Sequence, residues 1–362
     1  MEEFVLSLEE LMVYLNILYH SGNDEIAVYS YFLEDELFHI SLADTVQIKR
    51  LIEPHVYQEK YLDLLNSVEA GEENSVPKRE PNSTIIPPFK ILRKCLVGSG
   101  LWELKNWDQF KSKLDEIERS NPLRGDRVTF IGFDTNCFIN RLFSCLKHEY
   151  KRNISRFGFI LSRLIHMELR STQKISSKEL NFLKGKVNRN KEILDEFWNQ
   201  DSLYTRLKMV GLVEFNKVKR QSNYLINDGV RRNGRDNDVQ IIEDLRNQSR
   251  EKNADLVMAT SDEQFHRIAR EPGIVSYYLR LPPLTEMPQE SSATWEQLCD
   301  FLYLLSVYFG AIILRSRNTF QLFGIWLGKS TTAWDTESLK IQIRSPKLAR
   351  LLNQQLQILT PS

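Results

Sequence analysis

The sequence predicts an α/β protein with a central, mostly parallel sheet. Two segments indicate this fold, residues 128–136 and 255–262, because each contains a short β-branched and aromatic run that leads to an aspartate. Residues 126–285 alternate between strand-like and helix-like patterns, as a parallel sheet requires. Since ligands bind at the carboxyl ends of such strands, Asp134 and Asp262 are expected to face one site.

The 362 residues are enough for two domains or for one large domain with appendages. Shifts in composition at stretches that contain Pro and Gly divide the chain into four predicted regions. These are a mainly helical, acidic N-terminal region with its linker (1–88), a connecting segment (89–125), the α/β domain (126–285) and an α+β C-terminal appendage (290–362).

Local patterns also predict the elements outside the α/β domain. Apolar residues at helical spacing predict helices within residues 1–65, and the polar, Pro-punctuated residues 66–88 form the linker. The remaining predicted elements are a strand at 89–97, helices at 107–117 and 294–309, a hairpin around 315–318 and a terminal helix at 346–359.

Inside the α/β domain, apolar β-branched and aromatic runs predict strands, and amphipathic runs predict helices. The predicted strands lie at 128–133, 157–162, 209–215, 255–260 and 273–281. The predicted helices lie at 136–150, 163–170 and 177–200, and another begins at Asp236 or Asp238 and runs to Gln248.

Cysteine usage and the amino terminus predict a cytoplasmic protein. The four cysteines are scattered, without a CxxC pair or zinc-like His/Cys spacing, which argues for a reducing compartment. The chain begins with Met1-Glu-Glu, unlike a secretory signal. Its longest apolar run, residues 301–314, is too short to span a bilayer, so no membrane partner is expected.

A formal net charge of zero hides opposite charges in two regions. Residues 1–80 carry 17 Asp/Glu against 5 Lys/Arg, whereas residues 141–235 carry 21 Lys/Arg against 9 Asp/Glu. The basic region favours a polyanionic partner. The acidic region could contact the basic region of the same chain, or it could bind a protein partner. The sequence also leaves open whether the protein forms an oligomer. Solvated faces that differ in sign are the simpler alternative.

Two further acidic positions belong to predicted helices of the α/β domain. Glu168 lies among apolar residues on a half-buried helix face, where a carboxylate needs a cation or a shifted pKa. A salt bridge with Arg163 or Arg170 is the alternative. Asp238 begins a helix beside Asp236, and a helix N-cap is its alternative role.

In chain order, these acids are a strand-end aspartate (Asp134), a helical Glu168, an Asp-Asn-Asp at a helix start (236–238) and a strand leading to Thr-Ser-Asp (260–262). This order resembles the PIN-domain family of metal-dependent nucleases, known from VapC-type toxins and ribosomal RNA processing factors. The resemblance covers residues 126–285, and the gap after Glu168 is longer than in minimal members. It implies a PIN-like fold with three layers, α/β/α, around the central sheet, and a hydrolase, an endoribonuclease acting on single-stranded RNA.

Paired carboxylates at a sheet edge favour a hard cation, here Mg²⁺ or Mn²⁺. The predicted catalytic residues are Asp134, Glu168, Asp238 and Asp262. The predicted metal ligands are the same four residues together with Asp236. Of the two neighbouring aspartates, Asp238 is preferred to Asp236 as the main ligand. Orientation of metal-bound water or phosphate is expected from Thr135, Asn136 and Ser261.

Two basic groups are predicted to bind the nucleic acid. They are Lys184, Lys186 and Arg189 on a helix, and Arg231, Arg232 and Arg235 in a loop before the site. Phosphate contacts of this kind give affinity without sequence specificity.

Other classes fit these residues less well. A haloacid dehalogenase-type phosphatase has a second Asp where this chain has Asn136, and an adhesion-type metal site has serines at 136 and 138. The sequence contains no GxGxxG or GxxxxGK[ST] loop for nucleotide phosphates. The rival of a different class is a non-catalytic RNA-binding or scaffold protein that retains the fold.

Overall fold

A computed structural model describes residues 1–69, 84–186, 191–221, 224–227 and 236–359. The strands are β1 (Glu2–Leu6), β2 (Glu25–Ser30), β3 (Glu36–Ser41), β4 (Val46–Lys49), β5 (Thr129–Phe133), β6 (Gly158–Ser162), β7 (Tyr224–Asn227), β8 (Asp255–Thr260), β9 (Val275–Tyr278), β10 (Ser291–Ala293), β11 (Ala311–Arg315), β12 (Thr319–Phe323) and β13 (Leu339–Ile343). The helices are α1 (Leu8–His20), α2 (Pro54–Glu69), α3 (Lys90–Gly98), α4 (Trp107–Arg119), α5 (Thr135–Ile139), α6 (Leu142–Tyr150), α7 (Arg163–Leu169), α8 (Ser177–Lys186), α9 (Leu203–Lys219), α10 (Asn237–Glu251), α11 (Glu263–Arg270), α12 (Trp295–Phe309), α13 (Thr331–Asp335) and α14 (Pro346–Leu359).

The chain forms two units whose segments alternate along the sequence. The first unit contains residues 1–101, 172–206 and 284–362, and the second contains 102–171 and 207–283. This division differs from the predicted boundaries, because the N-terminal region and the C-terminal appendage belong to one unit. It also divides the predicted connecting segment and takes residues 172–206 out of the α/β domain.

The sheet of the first unit explains why both chain ends belong to it. Its eight strands have the order β1-β13-β12-β11-β2-β3-β4-β10, and all their pairings are antiparallel. The first strand pairs with the last, with Glu2 opposite Ile343. The prediction of a mainly helical N-terminal region was therefore wrong, since β1 to β4 lie there. These strands are only 4–6 residues long, too short for a strong alternating pattern.

Helix α12 forms much of the buried centre of the first unit, with every residue from Leu298 to Phe309 buried. Gly324, which follows β12, packs directly against its backbone. A Cβ atom on Gly324 would stand 2.1 Å from the Val307 nitrogen and 2.2 Å from the Ser306 carbonyl carbon. Only glycine fits this close approach without a shift of the main chain.

The sheet of the second unit is parallel throughout, with the strand order β7-β6-β5-β8-β9. This confirms the prediction of a mixed α/β fold with a parallel sheet. Strand β5 lies in the middle, where burial on both faces explains its apolar sequence. Strand β8 is its direct neighbour, with Phe133 opposite Ala259.

Several predicted elements were wrong in type. Residues 89–97 form α3 rather than a strand, and residues 209–215 lie inside α9. In α9, Val210, Val213 and Phe215 are buried, but such a short apolar run does not distinguish a buried helix from a strand. Strand β7 was not predicted.

Two predicted helices are interrupted. The predicted helix 136–150 is divided into α5 and α6 at Arg141, whose φ of 56° lies in the left-handed region. The predicted helix 177–200 ends as α8 at Lys186, and residues 191–197 form a 3₁₀ helix. The elements predicted at 128–133, 157–162, 255–260, 294–309 and 346–359 were confirmed, as was the hairpin β11–β12. Among the described residues, no helix is both long enough and apolar enough to cross a membrane.

Candidate carboxylate site

The site is built at the carboxyl edge of the parallel sheet. Asp134 follows the last residue of β5, and its N–H donates to the Ala259 carbonyl of β8 at 3.3 Å. Asp262 follows β8 by two residues. Parallel neighbours end at the same edge, so the two aspartates lie on one side of the sheet, as predicted.

Asp134 is the buried centre of this arrangement, with 3% of its surface exposed. It caps α5: Oδ1 accepts the Cys137 N–H at 2.7 Å, while Oδ2 accepts the Thr260 hydroxyl at 2.5 Å. Burial raises the pKa of Asp134; hydrogen bonds from Thr260 and Cys137 oppose this rise, and the Asp262 charge adds to it.

Thr260 connects the two aspartates. Its Oγ1 donates to Asp134 and accepts the Asp262 N–H at 2.9 Å. Asp262 in turn caps α11, where Oδ1 accepts the N–H groups of Gln264 at 2.8 Å and Phe265 at 3.1 Å. One hydroxyl thus links the Asp134 side chain to the Asp262 backbone across the ends of β5 and β8.

Glu168, on α7, is held by neutral donors. Its Oε2 accepts the Thr135 hydroxyl at 2.5 Å, and its Oε1 accepts Asn237 Nδ2 at 2.9 Å. Within the described ranges, Glu168 forms no ion pair with Arg163 or Arg170, so the alternative of a salt bridge is not observed. The glutamate therefore belongs to the site and links α7 to the starts of α5 and α10.

Asp236 and Asp238 have different roles. Asp236 is the N-cap of α10, and its Oδ1 accepts the Asp238 N–H at 3.0 Å. Asp238 lies in the first turn, where burial and then the negative charges of neighbouring acids raise its pKa to about 6. The acids that contribute are Asp236, Asp262, Glu168 and Asp134. The N-cap role considered for Asp238 thus belongs to Asp236, and Asp238 lies near enough to the other carboxylates for their charges to raise its pKa.

The predicted orienting residues lie around this cluster. Thr135 holds Glu168, and Ser261 Oγ accepts Asn140 Nδ2 at 3.3 Å. Asn136 is half-buried in the first turn of α5, and its carbonyl accepts the Asn140 N–H at 2.9 Å. The sequence reasoning missed Asn237 and Asn140. Asn237 could have been recognised from its place between two acids, but Asn140 had no comparable signal.

Of the predicted nucleic-acid-binding residues, the structure describes the side chain of Lys184 alone. Lys184 lies in the first unit and forms an ion pair with Asp195 at 2.6 Å, whereas the carboxylates lie in the second unit. The Lys186 side chain and residues Arg189, Arg231, Arg232 and Arg235 lie outside the described part of the chain.

The chemistry of the donors suits a hard cation, because carboxylates and hydroxyls supply only oxygen. In the part of the chain that the structure describes, no three His, Cys, Asp or Glu side chains stand close enough together to hold a metal ion. Both oxygens of Asp134 and of Glu168 already accept hydrogen bonds from the protein. The acids thus gather at one edge without forming a closed ligand set there.

Comparisons with known proteins leave the site to be interpreted from its geometry. No model of a protein family matches the chain, and neither a curated protein nor a solved structure gives a match.

Proposed function

We propose that the second unit is a PIN-type, metal-dependent endoribonuclease that hydrolyses phosphodiester bonds of single-stranded RNA. The observation that carries this proposal is the set of acids around Asp238: burial raises its pKa first, and the negative charges of Asp236, Asp262, Glu168 and Asp134 raise it further. Neighbouring like charges are unfavourable without a cation, and proteins arrange such clusters at functional sites.

The topology supports the same proposal. The acids come from four separate segments, at the ends of β5 and β8, on α7 and at the start of α10. The order of these segments along the chain is the order on which the resemblance to PIN domains rests. A structural role alone would not require four segments to bring acids to one sheet edge.

Mg²⁺ or Mn²⁺ would be held by Asp134, Glu168, Asp238 and Asp262, with Asp236 beside them. A bound ion of this kind lowers the pKa of water and stabilises the charge that develops on a phosphate. The chain's own contribution is to hold the acids in place: Thr260 fixes Asp134, Thr135 and Asn237 fix Glu168, and the α11 N–H groups fix one Asp262 oxygen.

The test is incubation of the full chain with end-labelled single-stranded RNA and single-stranded DNA. Mg²⁺, Mn²⁺ or EDTA is added in parallel, and the product ends are analysed. Cleavage of RNA that requires a divalent ion is expected. Cleavage that persists in EDTA, or none with either ion, would contradict the proposal.

A non-catalytic RNA-binding or scaffold protein is the second candidate. It is favoured by the hydrogen bonds that occupy both oxygens of Asp134 and of Glu168. Calorimetric titration with Mn²⁺ separates the two candidates, because a scaffold has no need of the ion. Asp134→Asn should abolish Mn²⁺ binding if the nuclease proposal is correct. Asp255→Asn is the matched control, since Asp255 lies at the opposite end of β8.

A further inference from the structure

Beside the carboxylates, an aromatic and basic strip is made of Tyr278 at the end of the outermost strand β9, His266 on α11 and Arg280, two residues after β9. Tyr278 is the register partner of Thr260 on β8, and the Leu279 N–H donates to the Thr260 carbonyl at 2.8 Å. Thr260 in turn bonds Asp134 at the end of β5. Asp134, Thr260 and Tyr278 therefore form one row across three neighbouring strands, about 5 Å apart at each step.

The strip is held together by its own contacts. The His266 and Tyr278 rings are stacked, with centroids 5.9 Å apart and planes at 24°, and His266 Nδ1 lies 3.0 Å from Ser276 Oγ. The Arg280 guanidinium lies over the Tyr278 ring, 5.9 Å from its centroid. Asn106 Nδ2 donates to the Tyr278 carbonyl at 2.9 Å, which fixes the end of the strand.

The preceding residue on β9, Tyr277, is a useful comparison because its ring packs against another element. Tyr277 points to the opposite face of the strand and contacts the buried Phe110 of α4, with ring centroids 5.5 Å apart. Tyr278 instead contacts a half-buried histidine and an exposed arginine. An aromatic ring bordered by a guanidinium, next to a row of carboxylates, suits a base together with its phosphate.

We infer that this strip binds the nucleotide next to the scissile phosphate of a single-stranded RNA, with the base on His266 and Tyr278 and a phosphate on Arg280. The inference rests on the proposed nuclease function. β9 is the edge strand of the sheet, so an RNA strand that leaves the carboxylates on that side passes over the strip. Stacking requires an unpaired base, which selects a single strand over a duplex.

The experiment measures binding without cleavage. Fluorescence anisotropy with a labelled oligouridylate in EDTA compares the full-length wild type with Tyr278→Ala, Tyr278→Phe and Arg280→Ala. Tyr278→Ala should weaken binding about tenfold. Tyr278→Phe should bind as tightly as the wild type, because stacking needs only the ring. Arg280→Ala should lower the slope of log K against log salt by about 0.7, the value for one phosphate contact on a single strand.

The matched control is Tyr29→Ala. In the first unit, the Arg315 guanidinium lies over the Tyr29 ring at 4.3 Å, so this variant removes a tyrosine–arginine pair of the same kind. Tyr29→Ala should bind RNA as the wild type does.

The outcomes separate the strip from the nuclease proposal. Weaker RNA binding by Tyr278→Ala in a protein that cleaves nothing supports the strip and contradicts only the nuclease. Cleavage by the wild type, with unchanged RNA binding by Tyr278→Ala and Arg280→Ala, overturns the strip alone. Equal losses in Tyr29→Ala and Tyr278→Ala, or no RNA binding by the wild type, also overturn it.

Discussion

The Thr260 hydroxyl donates a hydrogen bond to Asp134 Oδ2 at 2.5 Å, and so joins two strand ends that are 126 residues apart in the sequence. The same oxygen accepts the Asp262 N–H. Because Asp134 is almost fully buried, this bond opposes the rise that burial causes in its pKa. Thr260 therefore helps to hold the central carboxylate in place and lowers its pKa against the effect of burial.

Thr260→Val should raise the pKa of Asp134 further, because a donor that stabilises the carboxylate is lost. If ionised Asp134 is needed for cleavage, the acid limb of the pH–rate profile should move to higher pH. Thr260→Ser keeps the hydroxyl and should leave the profile unchanged. Rates of RNA cleavage measured from acid to neutral pH check this, and an unmoved acid limb in Thr260→Val would contradict it.

Asp134→Asn and Asp262→Asn should each reduce RNA cleavage about 100-fold or more, because each removes an electrostatic element of the site. RNA binding should persist in both variants. The control is Asp255→Asn, whose native carboxylate pairs with the exposed Arg127 at 3.1 Å, at the other end of β8. Single-turnover rates and anisotropy at matched folding provide the measurement. Undiminished cleavage by either site variant would remove that aspartate from the mechanism.

Asp238 should make the apoprotein less stable as the pH rises. Its pKa is raised from 3.8 to about 6 in the folded protein, so folding favours the protonated form. The stabilisation from this group is complete below about pH 4 and is lost as the pH rises through about 6. Asp238→Asn should flatten the dependence. Urea unfolding of both proteins across this range is the measurement, and equal slopes in the two proteins would disprove the assignment.

Gly324→Ala should destabilise the first unit by about 3 kcal/mol or more, because the added methyl group meets backbone atoms that cannot rotate away. Gly328→Ala is a useful comparison. No atom lies within 4 Å of a Cβ at Gly328, so its only cost is the strain of a φ of 88°. Denaturant unfolding compares the two, and an equal or smaller effect of Gly324→Ala would contradict the close approach.

The hypothesis that the acidic region 1–80 competes with RNA for the basic region 141–235 stays a prediction, but deletion of residues 1–80 cannot test it. Such a deletion removes β1 to β4 and should unfold the first unit. Neutralisation of the exposed Glu59 and Asp63 of α2 is the better test. Tighter RNA binding is expected at low salt, with the gain shrinking as salt rises. A gain that is equal at every salt concentration would exclude an electrostatic cause.

The parts of the fold predicted from the sequence are those where burial leaves a strong local pattern. Strands β5 and β8 are buried and end in acids, so both the strands and the shared edge could be predicted. Strands β2 to β4 could not, since each is only 4–6 residues long, too short for a strong alternating pattern, even though they pair with one another as sequence neighbours. Similarly, Asp238 could be proposed from its spacing, but the partnership of Glu168 with Asn237 depends on how α7 and α10 meet.

The pairing of β1 with β13 has a consequence for the order in which the protein folds during synthesis. β1 emerges from the ribosome first and must wait for residues 339–343 before its partner exists. Every residue of the second unit is translated before that partner appears. Domains generally fold as units while the chain emerges. The carboxylate-bearing unit can therefore complete its sheet before β13 of the antiparallel sheet has been synthesised. During that time β1 has no partner, and its edge is exposed to other chains.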